Sequence, residues 1–168
     1  MRAKSGTIVG VAAALLLLTA CGGGDSAPEL PTASELEGLY GSRASVQLNG
    51  NVVDVRAEQS SDQLQRGGVL WAKVGPYIFL FSPQTQELFE AHPDVAAVRV
   101  RTVDVEGTRI AEATLRRDAL NELTWNEAAR RVARARTEGT EKPGLIEDLV
   151  QYGEDLTTYS YNSDFTEG

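Results

Sequence analysis

Between residues 45 and 57, SVQLNGNVVDVRA, apolar and polar positions alternate, with Val46 and Leu48 before Asn49-Gly50 and Val53 and Val55 after it. Alternation on both sides of an Asn-Gly pair predicts a β-hairpin, because both central residues of a type I′ turn take positive φ. Residues 60–68 are polar, close on Gly67-Gly68, and read as a loop or one helical turn. Val69 to Val74 predicts a strand and Gly75-Pro76 a break. The five apolar residues Tyr77, Ile78, Phe79, Leu80 and Phe81 predict another strand, covered on both faces. Ser82-Pro83 then supplies an N-cap and a proline at the first helical position, where its missing N–H costs nothing. That helix should stop at His92, since Pro93 disfavours helical dihedrals in the residue before it. From Ala96 to Val105 the inward set of a strand shifts from Val98 and Val100 to Val103 and Val105, which a bulge near Arg101 explains. Glu106-Gly107 turns the chain into a partner strand, 109–115, with Ala111, Ala113 and Leu115 on one side.

Thr124 and Glu127 have capping-box spacing and predict a helix running to Glu138, stopped by Gly139. Its inner stripe is Trp125, Ala128, Ala129, Val132 and Ala133. A second helix should span Pro143 to Tyr152, with Leu145, Ile146, Leu149 and Val150 inward and Gly153 as its stop. A short strand, Thr157 to Tyr161, ends the pattern. Strands come in adjacent runs here, not in alternation with helices. The fold class is therefore α+β: an antiparallel curved sheet of about five to six strands with two or three helices packed on one face.

The first 34 residues follow another logic. Arg2 and Lys4 make a positive start, residues 8–18 form an apolar run, and small residues follow, which together describe an export signal. The run is shorter than the roughly 20 residues a membrane span needs. Leu18, Thr19, Ala20 and Cys21 resemble the lipobox of bacterial lipoproteins. In that class the cysteine is alkylated with diacylglycerol, the chain is cleaved just before it, and the new N-terminus is usually acylated. The resemblance makes residues 1–20 a signal peptide and Cys21 a lipid anchor. Two or three acyl chains, at about 0.8 kcal/mol per buried methylene, hold a protein firmly to a bilayer. Gly22 is not the aspartate that retains such proteins in an inner membrane. The location implied is the outer membrane facing the periplasm in a cell with two membranes, and otherwise the outer face of the plasma membrane. Residues 22–34 read as a flexible tether and 35–168 as a single domain.

Composition narrows the function. The formal net charge is −8, and loss of Arg2 and Lys4 with the leader takes it to −10. Such a domain repels a phosphate backbone and lacks the clustered cations that nucleic-acid binding needs. One histidine, and no cysteine beyond Cys21, argue against a metal site, and no cofactor is expected. His92, in Glu-Ala-His-Pro-Asp, suits a helix end, with a general base as its functional alternative. No Gly-x-Ser-x-Gly is present. Residues 139–144, GTEKPG, lack the ending of a phosphate loop, and Pro143 removes an amide such a loop needs. Glu147-Asp148 and Glu154-Asp155 read as solvated surface.

Three features remain as candidates. Arg130, Arg131, Arg134 and Arg136 form a basic cluster on one helix, suited to an acidic partner or anionic glycan, although Glu127 can pair with Arg131 at i, i+4. Tyr152, Tyr159, Tyr161 and Phe165 stand among carboxylates in the tail. Trp71, Tyr77, Phe79 and Trp125 are placed to line an apolar pocket between sheet and helices. The sequence thus points to a non-enzymatic, membrane-anchored module that binds an envelope protein or polymer. A small-molecule-binding domain is the alternative, and a hydrolase with an acidic site a further one.

Overall fold

The computed structural model describes residues 29–167. Cys21, the leader and residues 22–28 of the expected tether lie outside the described residues. From Glu29 onward the chain already packs: Pro31 is buried and Leu30 rests against the core. Thr32 and Glu35 form a capping box on a short helix, α1 (Ala33–Leu36). Leu30, Pro31 and Leu36 bury apolar surface there.

The first hairpin is β1 (Ala44–Asn49) and β2 (Val52–Glu58), paired antiparallel with Val46 opposite Val55 and Leu48 opposite Val53. Its two-residue loop is Gly50-Asn51, one position later than Asn49-Gly50, and Gly50 supplies the positive φ of +62°. β3 (Ala97–Val103) and β4 (Arg109–Arg116) form a second antiparallel hairpin, with a register shift between Thr102 and Val103. β5 (Thr158–Tyr161) adds to β4. The sheet has five strands in the order β1-β2-β3-β4-β5.

The α+β class holds, but the sheet is mixed, because β2 and β3 run parallel. The reason lies between them. Val69–Val74 and Tyr77–Phe81 are not strands; residues 61–80 form one long helix, α2 (Ser61–Leu80), capped by Ser60 and Gln63 and kinked at Gly68 (φ 54°, ψ −135°). A second helix, α3 (Pro83–Ala91), follows, with Ser82 as N-cap and His92 as C-cap. Two helices between two strands make a crossover, and a crossover is what a parallel pair requires. Helices are also more numerous than expected: six among the described residues, counting α1 and the last short one, α6 (Ser163–Thr166).

α4 (Glu122–Glu138) begins one turn before the expected Thr124, because Asn121 takes the N-cap and Thr124 becomes its capping-box partner. Its buried stripe is Trp125, Ala128, Val132 and Ala135, while Ala129 and Ala133 are exposed. α5 (Gly144–Leu156) runs straight through Gly153. A β-carbon there would lie 2.3 Å from Cδ1 of Tyr77, so this glycine permits a close approach of α5 to α2 and does not stop the helix.

α2 packs against β3, β4, α5 and α6. Val53, Val55, Val98, Val100, Ala113 and Leu115 form the buried side of the sheet, all within 2 % of full burial. Each large apolar side chain so buried contributes about 1.5–3 kcal/mol. Between them in register stand Asp54, Arg56, Arg99, Arg101, Glu112 and Thr114 on a polar side, where Asp54 pairs with Arg99 (3.3 Å) and Glu112 with Arg101 (2.7 Å).

A substitution pair tests the α2–α5 contact. Gly153→Ala should destabilise by about 1–3 kcal/mol through overpacking against Tyr77. Gly144→Ala, whose β-carbon meets nothing within 4 Å, should be neutral or stabilising by up to about 1 kcal/mol. Urea unfolding of the two variants measures the difference.

Candidate functional site

A groove of about 670 Å³ lies where the α1–β1 loop, the end of β2, the middle of α2, the start of α3 and the last turn of α4 meet. It falls in the range of small-ligand sites. Its outer lip is the loop 38–41, bracketed by Gly38 (φ +73°) and Gly41 (φ +87°). Tyr40 pins that lip. Its ring meets Phe79 edge-on at 6.2 Å, and its hydroxyl donates to Thr85 Oγ1 (2.8 Å), which in turn donates to the Phe79 carbonyl (2.8 Å).

The floor is built around Gln59, which is only 6 % exposed. β2 ends at Glu58, the Gln59 amide donates to the Val103 carbonyl (2.8 Å), and the Gln59 side chain folds inward over α2. Its Nε2 donates to the Trp71 carbonyl (3.1 Å), a turn ahead of Pro76 in the helix. Gly75 makes this possible, since a β-carbon there would stand 2.8 Å from the Gln59 amide atoms. The Gly75-Pro76 pair thus serves a side chain laid flat against a helix that continues through it.

Four buried side-chain polar atoms among the described residues lack a hydrogen bond: Asp54 Oδ1, Arg131 Nε, Gln59 Oε1 and Trp71 Nε1. The first two sit in ion pairs, Asp54 with Arg99 at 3.3 Å and Arg131 with Glu127 at 3.0 Å. That leaves Gln59 Oε1 and Trp71 Nε1 without any partner, and both residues line the groove. A buried unpaired donor or acceptor costs about 1–3 kcal/mol, and native proteins hold few of them. Both atoms are almost wholly covered by the protein itself, so they lie behind the groove wall and not open to it.

The apolar part of the wall is Leu39, Tyr40, Trp71, Ile78 and Phe79, and the polar part includes Gln63 and Gln84. Arg43, Glu58 and Arg136 are exposed at the rim and take part in no ion pair among the described residues. Ser82, the lining serine, caps α3 by accepting from the Thr85 amide (3.3 Å), and the lining has no histidine, lysine or cysteine.

The residues singled out from the sequence fall in several places. Trp71 and Phe79 line the groove. Tyr77 does not: it is fully buried in the core, because α2 turns it toward α5. Trp125 is buried on α4 against Phe89, ring centres 6.4 Å apart. Arg130 pairs with Glu127 (2.8 Å). Arg131 pairs with Glu127 and Asp148 and lies over the Tyr152 ring at 4.7 Å. Arg134 is exposed, and Arg136 belongs to the groove rim. Tyr159 is exposed and Tyr161 half-buried beside it. No hydrogen bond or cation–π contact among the described residues joins those tyrosines to Arg130, Arg131 or Arg134. His92 caps α3, its carbonyl accepting from Arg117. No group of three or more histidine, cysteine or carboxylate side chains among the described residues is placed to hold a metal ion. Gln59, Arg43 and Glu58 carried no signal in the sequence, since each is a single residue whose role depends on distant neighbours, and Gly75 read as a break.

In three comparisons with known proteins, no family model, no curated protein and no solved structure matches the chain.

Four phenols are shifted upward, among them Tyr152, which burial raises. Burial raises Tyr40, beside the groove, to about 12, against a smaller opposing effect of the Thr85 hydrogen bond. Burial also raises Tyr77 to about 12. Tyr161 rises further, through burial first and then the hydrogen bond with Tyr77 (2.7 Å) and the nearby Glu154 carboxylate (2.9 Å). A phenol held protonated in the folded state adds stability that is complete below its unfolded value near 10 and is lost as pH rises through the folded value. Stability at fixed urea should therefore stay flat on this account up to about pH 10 and fall from there toward 12 and above. Tyr40→Phe should fall less steeply in the same titration.

Proposed function

We propose that this chain is a lipid-anchored, extracytoplasmic, non-enzymatic binding module whose ligand sits in the groove between the 38–41 lip and α2. The observation that carries this reading is the groove itself, whose wall joins the aromatic side chains of Tyr40, Trp71 and Phe79 to the amide side chains of Gln63 and Gln84. The lining supports holding over turnover, because Glu58 is its one carboxylate and no base stands beside its serine. The groove is open along one side, so a free small molecule and a segment of an envelope polymer are both admissible occupants. Docking of a protein partner on Arg130, Arg131 and Arg134 has less support, because two of the three guanidinium groups are already engaged with carboxylates of the same molecule.

The anchor part of the reading rests on Leu18 to Cys21. Among the described residues no helix is long and apolar enough to cross a membrane. If Cys21 carries the acyl chains, Cys21→Ser should release the protein from washed bacterial membranes, and metabolic labelling with palmitate should mark only the unmutated form. Equal membrane retention of both forms contradicts the anchor.

The groove is tested separately by tryptophan emission. Trp125 is buried and distant from the lining set, so a change in emission on adding low-mass envelope fractions reports Trp71. The expected result is a saturable change with the unmutated protein and none with Gln84→Phe, which fills the mouth from an exposed position. Emission unaffected by every fraction contradicts the groove reading.

A further inference from the structure

The two edges of the sheet are built differently. β5 has four residues and runs almost directly into α6, whose N-cap is Asn162. β1 has six, pairs with β2 without a register shift, and contains neither proline nor a charged residue. Charge, proline, bulges and short length are the usual means of keeping an edge strand from pairing with another strand, and β1 has none of them.

The ladder defines which backbone groups of β1 are open. The Glu58 amide donates to the Arg43 carbonyl (3.0 Å), and opposed residues of an antiparallel pair alternate between bonded and non-bonded. Arg43, Ser45, Gln47 and Asn49 therefore direct their N–H and C=O groups toward β2, while Ala44, Val46 and Leu48 direct theirs outward. The Ala44 amide is taken by the Gly41 carbonyl (3.2 Å). No turn, loop or cap bond among the described residues engages Val46 or Leu48, so the N–H and C=O of both stand free along one edge.

Their spacing selects an occupant. In an antiparallel copy of the same strand, related by a two-fold axis at Gln47, Val46 lies opposite Leu48 of the second copy and Leu48 opposite its Val46. That register uses every one of the free groups on both copies. It also lays Leu48, an exposed apolar side chain, beside Val46 of the copy, and sets Gln47 against Gln47 on the polar side of the sheet. Charge favours a like partner at this place. The net charge of the chain is −8, so two copies repel over most of their surface, but no charged residue occurs from Ala44 to Val53.

We propose that β1 pairs antiparallel with β1 of a second copy of this chain about a two-fold axis at Gln47, joining the two sheets into one. The pairing stands independently of the groove.

The test is oxidative cross-linking of the full chain in whole cells. In this register the two Gln47 residues form a non-hydrogen-bonded pair with α-carbons about 4.5 Å apart, within the reach of a disulfide. Under a mild thiol oxidant Gln47→Cys should give a species of doubled mass at least tenfold above the unmutated chain, whose only cysteine is Cys21. Ser45→Cys is the comparison, being exposed on the same face of the same strand. Its two copies would be offset by about 13 Å along the strands, beyond any disulfide, and it should give no more than the unmutated chain. Adding Leu48→Lys to Gln47→Cys puts a charge on the edge at a residue 36 % exposed, and should cut the yield at least fivefold. No doubled species from Gln47→Cys, an equal yield from Ser45→Cys, or a yield indifferent to Leu48→Lys each overturns the proposal. A disulfide from Gln47→Cys to a different protein overturns it too, and assigns the edge to a strand of that protein.

Discussion

The structure depends on one helix whose second half is packed between the sheet and α5. α2 lies between the sheet and α5, and its residues Ala72, Val74, Tyr77 and Leu80 are all essentially inaccessible to water. Two glycines set how close its neighbours come. Gly153 brings α5 onto the Tyr77 ring, and Gly75 lets the Gln59 amide lie on the helix surface. Interiors packed to crystal density do not absorb an added methyl group at either place without movement. The same helix, passing from β2 to β3, makes the crossover that turns an otherwise antiparallel sheet into a mixed one.

The groove follows from that packing. Because Gln59 must turn inward at the end of β2, its amide nitrogen finds the Trp71 carbonyl and its oxygen is left over. Because Tyr40 is tied to Thr85 and Phe79, the loop between two positive-φ glycines is held open above the floor. The result is a concave wall of aromatic and amide side chains with exposed charges at its rim.

Local signals carried most of the elements into view. Ser82-Pro83 and His92-Pro93 mark α3 at both ends because caps and proline act within a turn. The hairpin around Gly50 is legible because register and turn chemistry agree, though its loop sits one residue along. α2 was not legible, and the reason is physical: Gly67-Gly68 and Gly75-Pro76 interrupt it with residues that ordinarily end elements, and the run from Tyr77 to Phe81 has the same composition as a buried strand. Gly153 and Gly75 looked like stops and breaks because sequence does not distinguish a glycine needed for dihedral freedom from one needed for close approach. Of the pocket residues read from the sequence, Trp71 and Phe79 reach the groove while Tyr77 and Trp125 do not; Tyr77 and Phe79, two positions apart, fall on opposite faces of α2. The groove's remaining residues are drawn from positions between 38 and 136, and nothing local joins them.

The most direct test of the central claim, that the groove beside Trp71 holds a ligand, is a proton–nitrogen correlation spectrum of the uniformly labelled protein with and without low-mass envelope fractions. The chain has two indole N–H groups and Trp125 serves as the internal reference. The account predicts that the Trp71 indole resonance and the Gln59 side-chain amide move together while the Trp125 indole stays in place. Shifts confined to the arginine side chains of α4, with Trp71 and Gln59 unmoved, contradict it.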